Sequence, residues 1–434
     1  MESPDFSAFA ASANKRTTIF TAWIDWPTAS LQPDMSPEEY LLRITRARRW
    51  MATAELDALV VMNSHHGTHF TGETEPHEWH DRCPARATWY ILTATEDHLW
   101  LNPGMSGEHF SSARQKSRVT HLHAMVERGE TTDRMEVWDV RQLALAISDL
   151  GLGKSKLGFE LGDCTSLGMS YLDFERLRAL LPGAEFLDGA PILRRCLQIQ
   201  TEEQIANTRI ACTAAVAMHD VLPSLVYVGM TEREMVRVLE NHFRATFATV
   251  EGLSYRGEGG WDIRNPVTQT WIPFHARATD HKIAFGDFLA RSTGGTSCNG
   301  CPGDVDRSFH VGQPSDPVRR YYDGAVACLR AMREAIRPGN RCSEVFAAYA
   351  QCAEKVGWPV RTVGRQGHGL FNGGGISVHP DCHLVLEPGM IISCEPVLGN
   401  EHGLFDVEDQ FVVTRAGNET LHRPIGDELP IVAS

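Results

Sequence analysis

Residues 386–396 read LEPGMIISCEP and residues 407–414 read VEDQFVVT, and these two segments are the most informative about the fold of the C-terminal half. Each carries one glutamate, Glu395 or Glu408, inside an apolar run that is typical of a buried strand. A glutamate in such a strand is costly unless it is paired, hydrogen-bonded or bound to a metal. We therefore predict that both carboxylates line a functional site, in preference to lying on an exposed strand face.

Two further segments add groups of the same chemistry. GDVDRSF contains Asp304, and QGHGLF contains His368. Carboxylates and imidazoles distributed over several strands are the usual means of holding one or two divalent metals that activate water. Asp306 lies two residues beyond Asp304 and so faces the same side of a strand, where it could supply another ligand or a base. Alternatively, Asp306 pairs with Arg307.

Size and charge limit the possible functions. The chain has 434 residues, 42% of them hydrophobic, which predicts two or three domains. A formal net charge of −14 argues against nucleic-acid binding, because phosphate backbones need clustered Lys and Arg. No apolar run is long enough to span a bilayer, and the N-terminus lacks the layout of a secretory signal. We therefore expect a cytoplasmic protein without membrane or nucleic-acid partners.

The eleven cysteines are scattered, which favours a reducing compartment over a disulfide framework. Cys298 and Cys301 form a CxxC pair in SCNGCPGD, a spacing that suits zinc or redox chemistry. No second CxxC accompanies it. A turn with two free thiols is the preferred interpretation, and the sequence leaves the role of the pair open.

The domain organisation follows from the order of the predicted elements. Residues 1–35 are polar and are expected to form an N-terminal arm. Residues 36–195 contain helices that start near Pro37 and at 136–150 and 171–181, with the strands ALVVM, WYILTA, HLWLNP and KLGFEL between them. This alternation predicts a small α/β domain. Residues 196–434 form the second predicted domain.

The second predicted domain opens with two capping boxes. Thr201 with Gln204, and Thr231 with Glu234, are the pairs expected to start long helices at 202–219 and 232–247. Further helices are predicted at 316–336 and 343–356, and strands at 285–291, 306–311, 390–397 and 406–414. Helices packed on an antiparallel sheet make this domain, and the chain as a whole, α+β.

Taken in order, GDFLA with DVDRSF, QGHGLF with VHP, LEPGMIISCEP and VEDQFVVT resemble the pita-bread superfamily of methionine aminopeptidase, prolidase and creatinase. The resemblance covers about 235 C-terminal residues, and the N-terminal domain is similar to that of the creatinase and prolidase branch. It implies a pita-bread catalytic domain preceded by a creatinase-type domain. Creatinase, ectoine hydrolase and the pita-bread dimethylsulfoniopropionate lyase are the branches it resembles most.

The resemblance also implies a ligand set. Asp304, His368, Glu395 and Glu408 match the family's metal ligands, and Asp306 is a substitute ligand. His379 matches a second histidine that contacts substrate. The family's first metal aspartate, which bridges two metals, falls on Ser292 in FLARSTGG. This departure predicts a degenerate site that holds a single iron, manganese or zinc ion, or an enzyme that works without metal as creatinase does.

Substrate contacts are predicted from the same resemblance. In creatinase a histidine precedes the GD strand; here Arg264 occupies that place, and His275 follows slightly later. The planar fork of Arg264 could clamp a substrate carboxylate. In the first domain, Arg86 matches a residue that reaches the partner's active site in a creatinase-type homodimer, and Trp89 could pack on a cationic head group.

The favoured function is hydrolysis of a non-peptide C–N bond in a small polar substrate, zwitterionic or carboxylate-bearing. The proposed catalytic residues are His368, His379, Glu395 and Glu408, and the proposed substrate contacts are Arg86, Arg264, Ser292, His275 and Trp89. One alternative is a metal-dependent Xaa-Pro dipeptidase or aminopeptidase, which Ser292 disfavours. A metal-dependent lyase and a non-catalytic binding protein are the others. The sequence does not identify the substrate or the metal.

Overall fold

A computed structural model describes residues 35–73, 88–101, 108–125, 140–163, 165–255, 261–274, 277–292, 295–358, 365–370 and 375–433, with Glu108 and Ser292 described by their backbone only. The predicted arm at 1–35 therefore lies almost entirely outside the described residues. The chain divides into two compact units, one ending at Cys196 and one beginning at Leu197.

The first unit is a mixed sheet with helices. Its helices are α1 (Pro37–Thr53), α2 (Ser64–Thr71), α3 (Glu108–Lys116), α4 (Val140–Asp149), α5 (Tyr171–Leu180) and α6 (Ala190–Gln198), the last of which runs into the second unit. Its strands are β1 (Ala58–Val61), β2 (Trp89–Thr93), β3 (Asp97–Leu101), β4 (His121–Ala124), β5 (Lys156–Phe159) and β6 (Glu185–Asp188). They form one six-stranded sheet in the order β4-β3-β2-β1-β5-β6.

The pairing of these strands confirms the expected first-domain pattern. The segments WYILTA and HLWLNP were predicted to pair, and β2 does pair with β3 in antiparallel register, while β3 pairs with β4 in parallel. Side chains on opposite faces of the sheet enter two separate apolar clusters. This sheet therefore has helices and core on both faces, as its apolar β1 and β2 require.

The second unit combines four long helices with several small sheets. The helices are α7 (Glu202–Leu225), α8 (Glu232–Thr246), α9 (Asp316–Ala335) and α10 (Cys342–Val356). The strands are β7 (Leu253–Tyr255), β8 (Asp262–Asn265), β9 (Thr270–Ile272), β10 (Phe288–Ser292), β11 (Thr296–Cys298), β12 (Cys301–Gly303), β13 (Asp306–Val311), β14 (Gly367–Gly369), β15 (Ile391–Cys394), β16 (Val397–Asn400), β17 (Gly403–Asp406), β18 (Asp409–Thr414), β19 (Gly417–Thr420) and β20 (Ile431–Val432).

Two of the sheets position the functional residues. One has the order β20-β13-β10-β8-β9 and the other the order β14-β15-β18-β19. All their pairings are antiparallel except that of β13 with β20. A large apolar core lies where α9 and α10 pack on strands of both sheets. The α+β prediction for this half of the chain is confirmed.

The helix starts agree with the capping prediction. Thr201 and Thr231 each accept a hydrogen bond from the backbone N–H three residues on, and the side-chain oxygens of Gln204 and Glu234 accept one from the backbone N–H of the cap residue, so both capping boxes form. The end of α7 was predicted wrongly: the helix continues to Leu225 with Pro223 inside it. Proline in a last turn removes only one ladder hydrogen bond, so apolar packing of this segment outweighs the loss.

The CxxC segment is a tight hairpin. Cys298 pairs with Cys301 across β11 and β12, and Asn299 and Gly300 make the turn with positive φ angles of 48° and 75°. Neither cysteine forms a disulfide, and both side chains are buried. The prediction of a turn with two free thiols is confirmed.

Among the helices that the described ranges contain, none is long and apolar enough to cross a membrane.

Candidate active site

The start of β13 and the turn between β17 and β18 lie side by side. The backbone N–H of Glu408 donates to the carbonyl of Asp306 at 3.1 Å. The hydroxyl of Ser308 donates to the carbonyl of Asp406 at 2.9 Å. These bonds hold two acidic segments in register although about a hundred residues separate them along the chain. Alternate residues of both segments consequently face the same space.

Arg307 fixes this arrangement from the other side of β13. Its guanidinium donates to the carbonyl of Glu408 at 2.6 Å and to the carboxylate of Asp409 at 2.8 Å, and it is buried. It also donates to the carbonyl of Asp306. The alternative in which the Asp306 side chain pairs with Arg307 is therefore wrong, because neighbouring side chains on a strand point to opposite faces. Arg307 therefore stabilises the backbone of these segments, while the carboxylate of Asp306 faces the site.

Gly367 places His368 against β15. Its φ is +154°, and a Cβ atom at this position would lie 2.2 Å from the carbonyl oxygen of Ser393. Only glycine allows β14 to approach β15 this closely. The carbonyl of Gln366 then accepts a hydrogen bond from the backbone N–H of Glu395 at 2.9 Å, which ties the His368 segment to the glutamate segment.

The first group of side chains consists of Asp304, His368 and Glu408, whose ligand atoms all lie within 4.8 Å of one another. The Nε2 atom of His368 is 3.4 Å from Asp304 Oδ2 and 3.5 Å from Glu408 Oε1. Its Nδ1 lies 3.0 Å from the carbonyl of Gly369. Since a carbonyl only accepts, Nδ1 carries the proton there, and Nε2 faces the two carboxylates.

The second group consists of Asp306, Glu395 and Asp406, again within 4.8 Å. Asp406 was not among the predicted site residues. The signal for it was present in FDVEDQ, because Asp406 precedes Glu408 by two residues, just as Asp304 precedes Asp306. Two i, i+2 acidic pairs on adjacent segments give one mixed group with histidine and one group of carboxylates only.

Burial and mutual repulsion dominate the electrostatics of the site. Burial, together with Asp304, Asp306 and the other nearby carboxylates, raises the pKa of Glu408 well above its ordinary value. Burial and then the charges of Glu395 and Asp304 raise the pKa of Asp406 well above its ordinary value. Burial by itself lowers the pKa of His368, but the hydrogen bonds with Asp304 and with the carbonyl of Gly369 and the charge of Asp304 together outweigh it, so the net direction is upward. The folded chain therefore concentrates negative charge that only protons or a cation can relieve.

The two groups fit divalent cations. Glu408 is completely buried, yet within the described ranges neither of its carboxylate oxygens forms a hydrogen bond, and Oδ1 of Asp406 is in the same condition. Buried carboxylates without donors are costly unless they are metal-bound. The edge of a tetrahedron with bonds of ~2.0–2.1 Å is about 3.3 Å, close to the separations of 3.4 and 3.5 Å around His368. Oxygen donors with one imidazole suit manganese, zinc or iron.

Two other predicted residues of this unit lie outside both groups. His379 is partly exposed, and its Nδ1 accepts from the backbone N–H of Asp381 at 3.2 Å. Arg264 already donates to both carboxylate oxygens of Asp262, at 2.9 and 3.2 Å, and to the carbonyl of Asn400. A substrate carboxylate would have to displace Asp262, so the geometry gives the predicted clamp no support.

The remaining predicted contacts are distributed differently. Trp89 is fully buried on β2, stacked on Trp100 with ring centroids 6.1 Å apart, so the prediction that it packs on a substrate is wrong. Its indole belongs to the core because β2 is a central strand. Arg86 and His275 lie outside the described residues. The backbone of Ser292 pairs with that of Asp306 across β10 and β13.

Comparison with known proteins now identifies the family. The model of metallopeptidase family M24 matches residues 206–415, and the model of the creatinase/prolidase N-terminal domain matches residues 43–196. The chain belongs to the pita-bread (M24) superfamily. The resemblance inferred from LEPGMIISCEP and its companion segments is confirmed. So is the predicted pita-bread fold with a creatinase-type first domain.

Individual relatives of this pita-bread protein are distant. The probable dipeptidase PepE of Mycobacterium tuberculosis (strain ATCC 25618 / H37Rv) is 30% identical over 234 residues, which are 50% of this chain and 57% of that protein. The chain thus spans little more than half the length of this relative. The ectoine hydrolase of Halomonas elongata is 21% identical over 88% of this chain and 95% of that protein. The crystal structure of dipeptidase PepE from Mycobacterium ulcerans superposes with a TM-score of 0.73 at 20% identity, covering 92% of this chain and 100% of that one.

Proposed function

We propose that this chain is a metal-dependent hydrolase that cleaves a C–N bond in a small, carboxylate-bearing substrate. The observation that carries the proposal is the convergence of two groups of potential ligands, Asp304 with His368 and Glu408, and Asp306 with Glu395 and Asp406. A catalytically dead relative would be free to lose buried carboxylates that destabilise its fold. Their retention favours an enzyme over the non-catalytic alternative.

The site residues support two cation positions in place of the single one predicted from the sequence. Asp304, His368 and Glu408 would hold one ion, and Asp306, Glu395 and Asp406 would hold the other. Bound divalent ions would lower the pKa of a water molecule and polarise the carbonyl or amidine carbon under attack. Their charge would also keep the six groups ionised in spite of their burial.

The protein's own groups have distinct tasks. His368 is oriented by the carbonyl of Gly369, the usual second partner of a metal-bound imidazole. Glu395 is less buried than Glu408, and it is the proposed carboxylate that accepts a proton from water and passes it to a leaving nitrogen. Arg307 holds the Asp306 and Glu408 backbones together and so positions both groups. His379 remains a proposed substrate contact.

Two substrate classes are about equally supported. The ectoine hydrolase relative aligns over nearly its whole length, which favours a non-peptide C–N bond. The second group of carboxylates favours an Xaa-Pro dipeptide, because Asp306 and Asp406 offer the ligands that Ser292 cannot provide. The absence of a bridging aspartate at Ser292 is thus a weaker argument against a dipeptidase than the sequence indicated.

A substrate panel tests the proposal. The full-length, tag-free protein would be assayed with Xaa-Pro dipeptides, ectoine and creatine, before and after chelation and with Mn²⁺, Zn²⁺ or Fe²⁺ restored, while elemental analysis counts bound metal. We expect hydrolysis of one class, loss of at least about 100-fold in rate on chelation, and recovery with metal. Undiminished activity after complete removal of metal would place the chain beside creatinase and overturn the metal proposal. Elimination without water consumption would indicate the lyase.

A homodimer in which Arg86 reaches the partner's site, and a cytoplasmic location, remain predictions. Light scattering coupled to gel filtration measures the oligomeric state directly. A monomer that retains full turnover would remove the proposed role of Arg86 across an interface.

A further inference from the structure

A second concentration of potential ligands lies in the first unit, on the edge pair β3 and β4. In their parallel register His98 lies opposite His121, and Trp100 lies opposite His123. Residues two apart on a strand share a face, so three imidazoles and one indole form a single layer on this side of the sheet. Glu96 directly precedes β3 and reaches the same layer.

The donor atoms of Glu96, His98 and His121 are spaced for one cation. Oε2 of Glu96 lies 3.4 Å from Nε2 of His121 and 3.7 Å from Nε2 of His98. All the ligand atoms of the three residues lie within 4.8 Å of one another. A tetrahedral ion with bonds of ~2.0–2.1 Å separates its ligands by about 3.3 Å, so small side-chain rotations would complete the site.

The two imidazole nitrogens that point to this space form no hydrogen bond within the described part of the chain. Nε2 of His98 and Nε2 of His121 are both inaccessible to solvent, and the Glu96 carboxylate beside them forms no hydrogen bond with either. His98 is only 5% exposed. A buried polar atom without a partner costs free energy, and a metal ion removes the cost for both nitrogens at once. Stacking of the rings alone would leave both nitrogens unsatisfied.

The ring of His98 is held by its neighbours. Its Nδ1 lies 3.2 Å from Nε2 of His123, and the His123 ring stacks on Trp100 with centroids 4.2 Å apart. When Nδ1 of His98 donates to His123, its Nε2 carries the lone pair that a metal needs.

We propose that Glu96, His98 and His121 bind a divalent transition-metal ion of the Zn²⁺, Ni²⁺ or Cu²⁺ type, with His123 as a positioning residue. Two imidazoles and one carboxylate suit these ions better than Mg²⁺ or Ca²⁺. The three ligands come from the first unit, so this site is built independently of the two carboxylate-rich groups. Glu96 and His121 are partly exposed, which gives an ion access from solvent.

Zinc stoichiometry and copper spectroscopy test the proposal on the full-length, tag-free protein. Zn²⁺ would be titrated against a chromophoric chelator for the wild type, His121→Gln and Glu96→Gln. His65→Gln serves as the matched control, because His65 is an exposed histidine of the same unit. We expect wild type and control to bind one more equivalent than His121→Gln, and Glu96→Gln to bind that equivalent at least about 10-fold more weakly.

Copper distinguishes this site from the carboxylate-rich one. The two groups around the candidate active site contain a single imidazole, His368, whereas the proposed site contains two. Electron paramagnetic resonance with Cu²⁺ should show hyperfine coupling to two nitrogens in the wild type and the control, and to fewer in His121→Gln. Equal zinc stoichiometry and equal nitrogen coupling in all three proteins would overturn the proposal. Circular dichroism in EDTA checks that the variants fold, and His121 is exposed enough for this substitution to be tolerated.

Discussion

The candidate active site and the histidine layer of the first unit both gather potential metal ligands, but the fold treats them differently. Around Glu408 the ligands arise from four separated segments, and most of them are buried. On β3 and β4 they arise from two adjacent strands, and Glu96 is more than half exposed. The charge also differs. The set around Glu408 contains five carboxylates and one imidazole, whereas the set on β3 and β4 contains one carboxylate and two imidazoles.

The difference teaches that burial, more than ligand count, decides what an ion does for the protein. A buried set of carboxylates repels itself and destabilises the metal-free fold, so cation binding there is coupled to stability. The set on β3 and β4 contains one carboxylate, that of Glu96, which is more than half exposed, so there is little like-charge repulsion for an ion to relieve and the gain in stability on binding should be smaller. Two substitutions and one change of pH test this contrast.

The largest effect is expected from Glu395→Gln. The substitution keeps shape and removes the carboxylate that we propose carries the proton, so kcat should fall by about 10²- to 10⁴-fold. Steady-state kinetics measure it, and light scattering and circular dichroism check the fold. Glu401→Gln, at an exposed glutamate of the β16–β17 turn, is the matched control and should keep normal turnover. Near-normal activity of Glu395→Gln would remove our assignment of the site.

A smaller effect on activity, together with an opposite effect on stability in EDTA, is expected from Asp406→Asn. Loss of one ligand of the second group should lower metal content by one equivalent and activity by about 10- to 100-fold. The same change removes a buried negative charge, so in EDTA the variant should be more stable than the wild type by ~1 kcal/mol or more. Elemental analysis measures the metal content, and urea unfolding measures the free energy of unfolding. A variant that is less stable in EDTA would contradict the repulsion described for Glu408 and Asp406.

How far the sequence predicts this site depends on the kind of information each residue carries. Asp304, His368, Glu395 and Glu408 lie in motifs that constrain local backbone, as Gly367 shows, so pattern alone finds them. Asp406 was missed because its partner Asp306 is about a hundred residues away, and only the register of β13 beside residues 406–408 brings the two together. Pairing across distant segments is invisible to local periodicity.

Two assignments to substrate illustrate a similar physical cause. Arg264 already pairs with Asp262 two residues before it, so the geometry gives its assignment no support, and Trp89 faces the core of its own sheet, so its assignment is wrong. The residue type limits which partners a side chain can bind, whereas the strand register determines which of those partners lies next to it. The histidine layer of β3 and β4 was not predicted from the sequence for the same reason, because Glu96 and His121 are separated along the chain and only strand pairing brings them together.

The last expected effect is a pH dependence confined to the metal-free protein, which changes stability without a direct effect on turnover. Burial and like charges raise the folded-state pKa of Glu408 and Asp406 above the ordinary values of 4.5 and 3.8. Between each ordinary value and the raised one, the folded chain binds more protons than the unfolded chain. The free energy of unfolding in EDTA should therefore fall as pH rises through this window, by at most about 1.4 kcal/mol per pH unit for each group.

Urea unfolding at several pH values between 5 and 8 measures this slope. Asp406→Asn should make it shallower, because the substitution removes one group and relieves the repulsion on Glu408. Saturation with divalent metal should abolish the decline, since a cation keeps the carboxylates ionised in the folded state. Glu401→Gln should leave the slope unchanged, because Glu401 is an exposed carboxylate. Equal slopes in the wild type and Asp406→Asn would mean that the carboxylate-rich groups do not govern the stability of the metal-free chain, and the contrast between the two sites would lose its energetic basis.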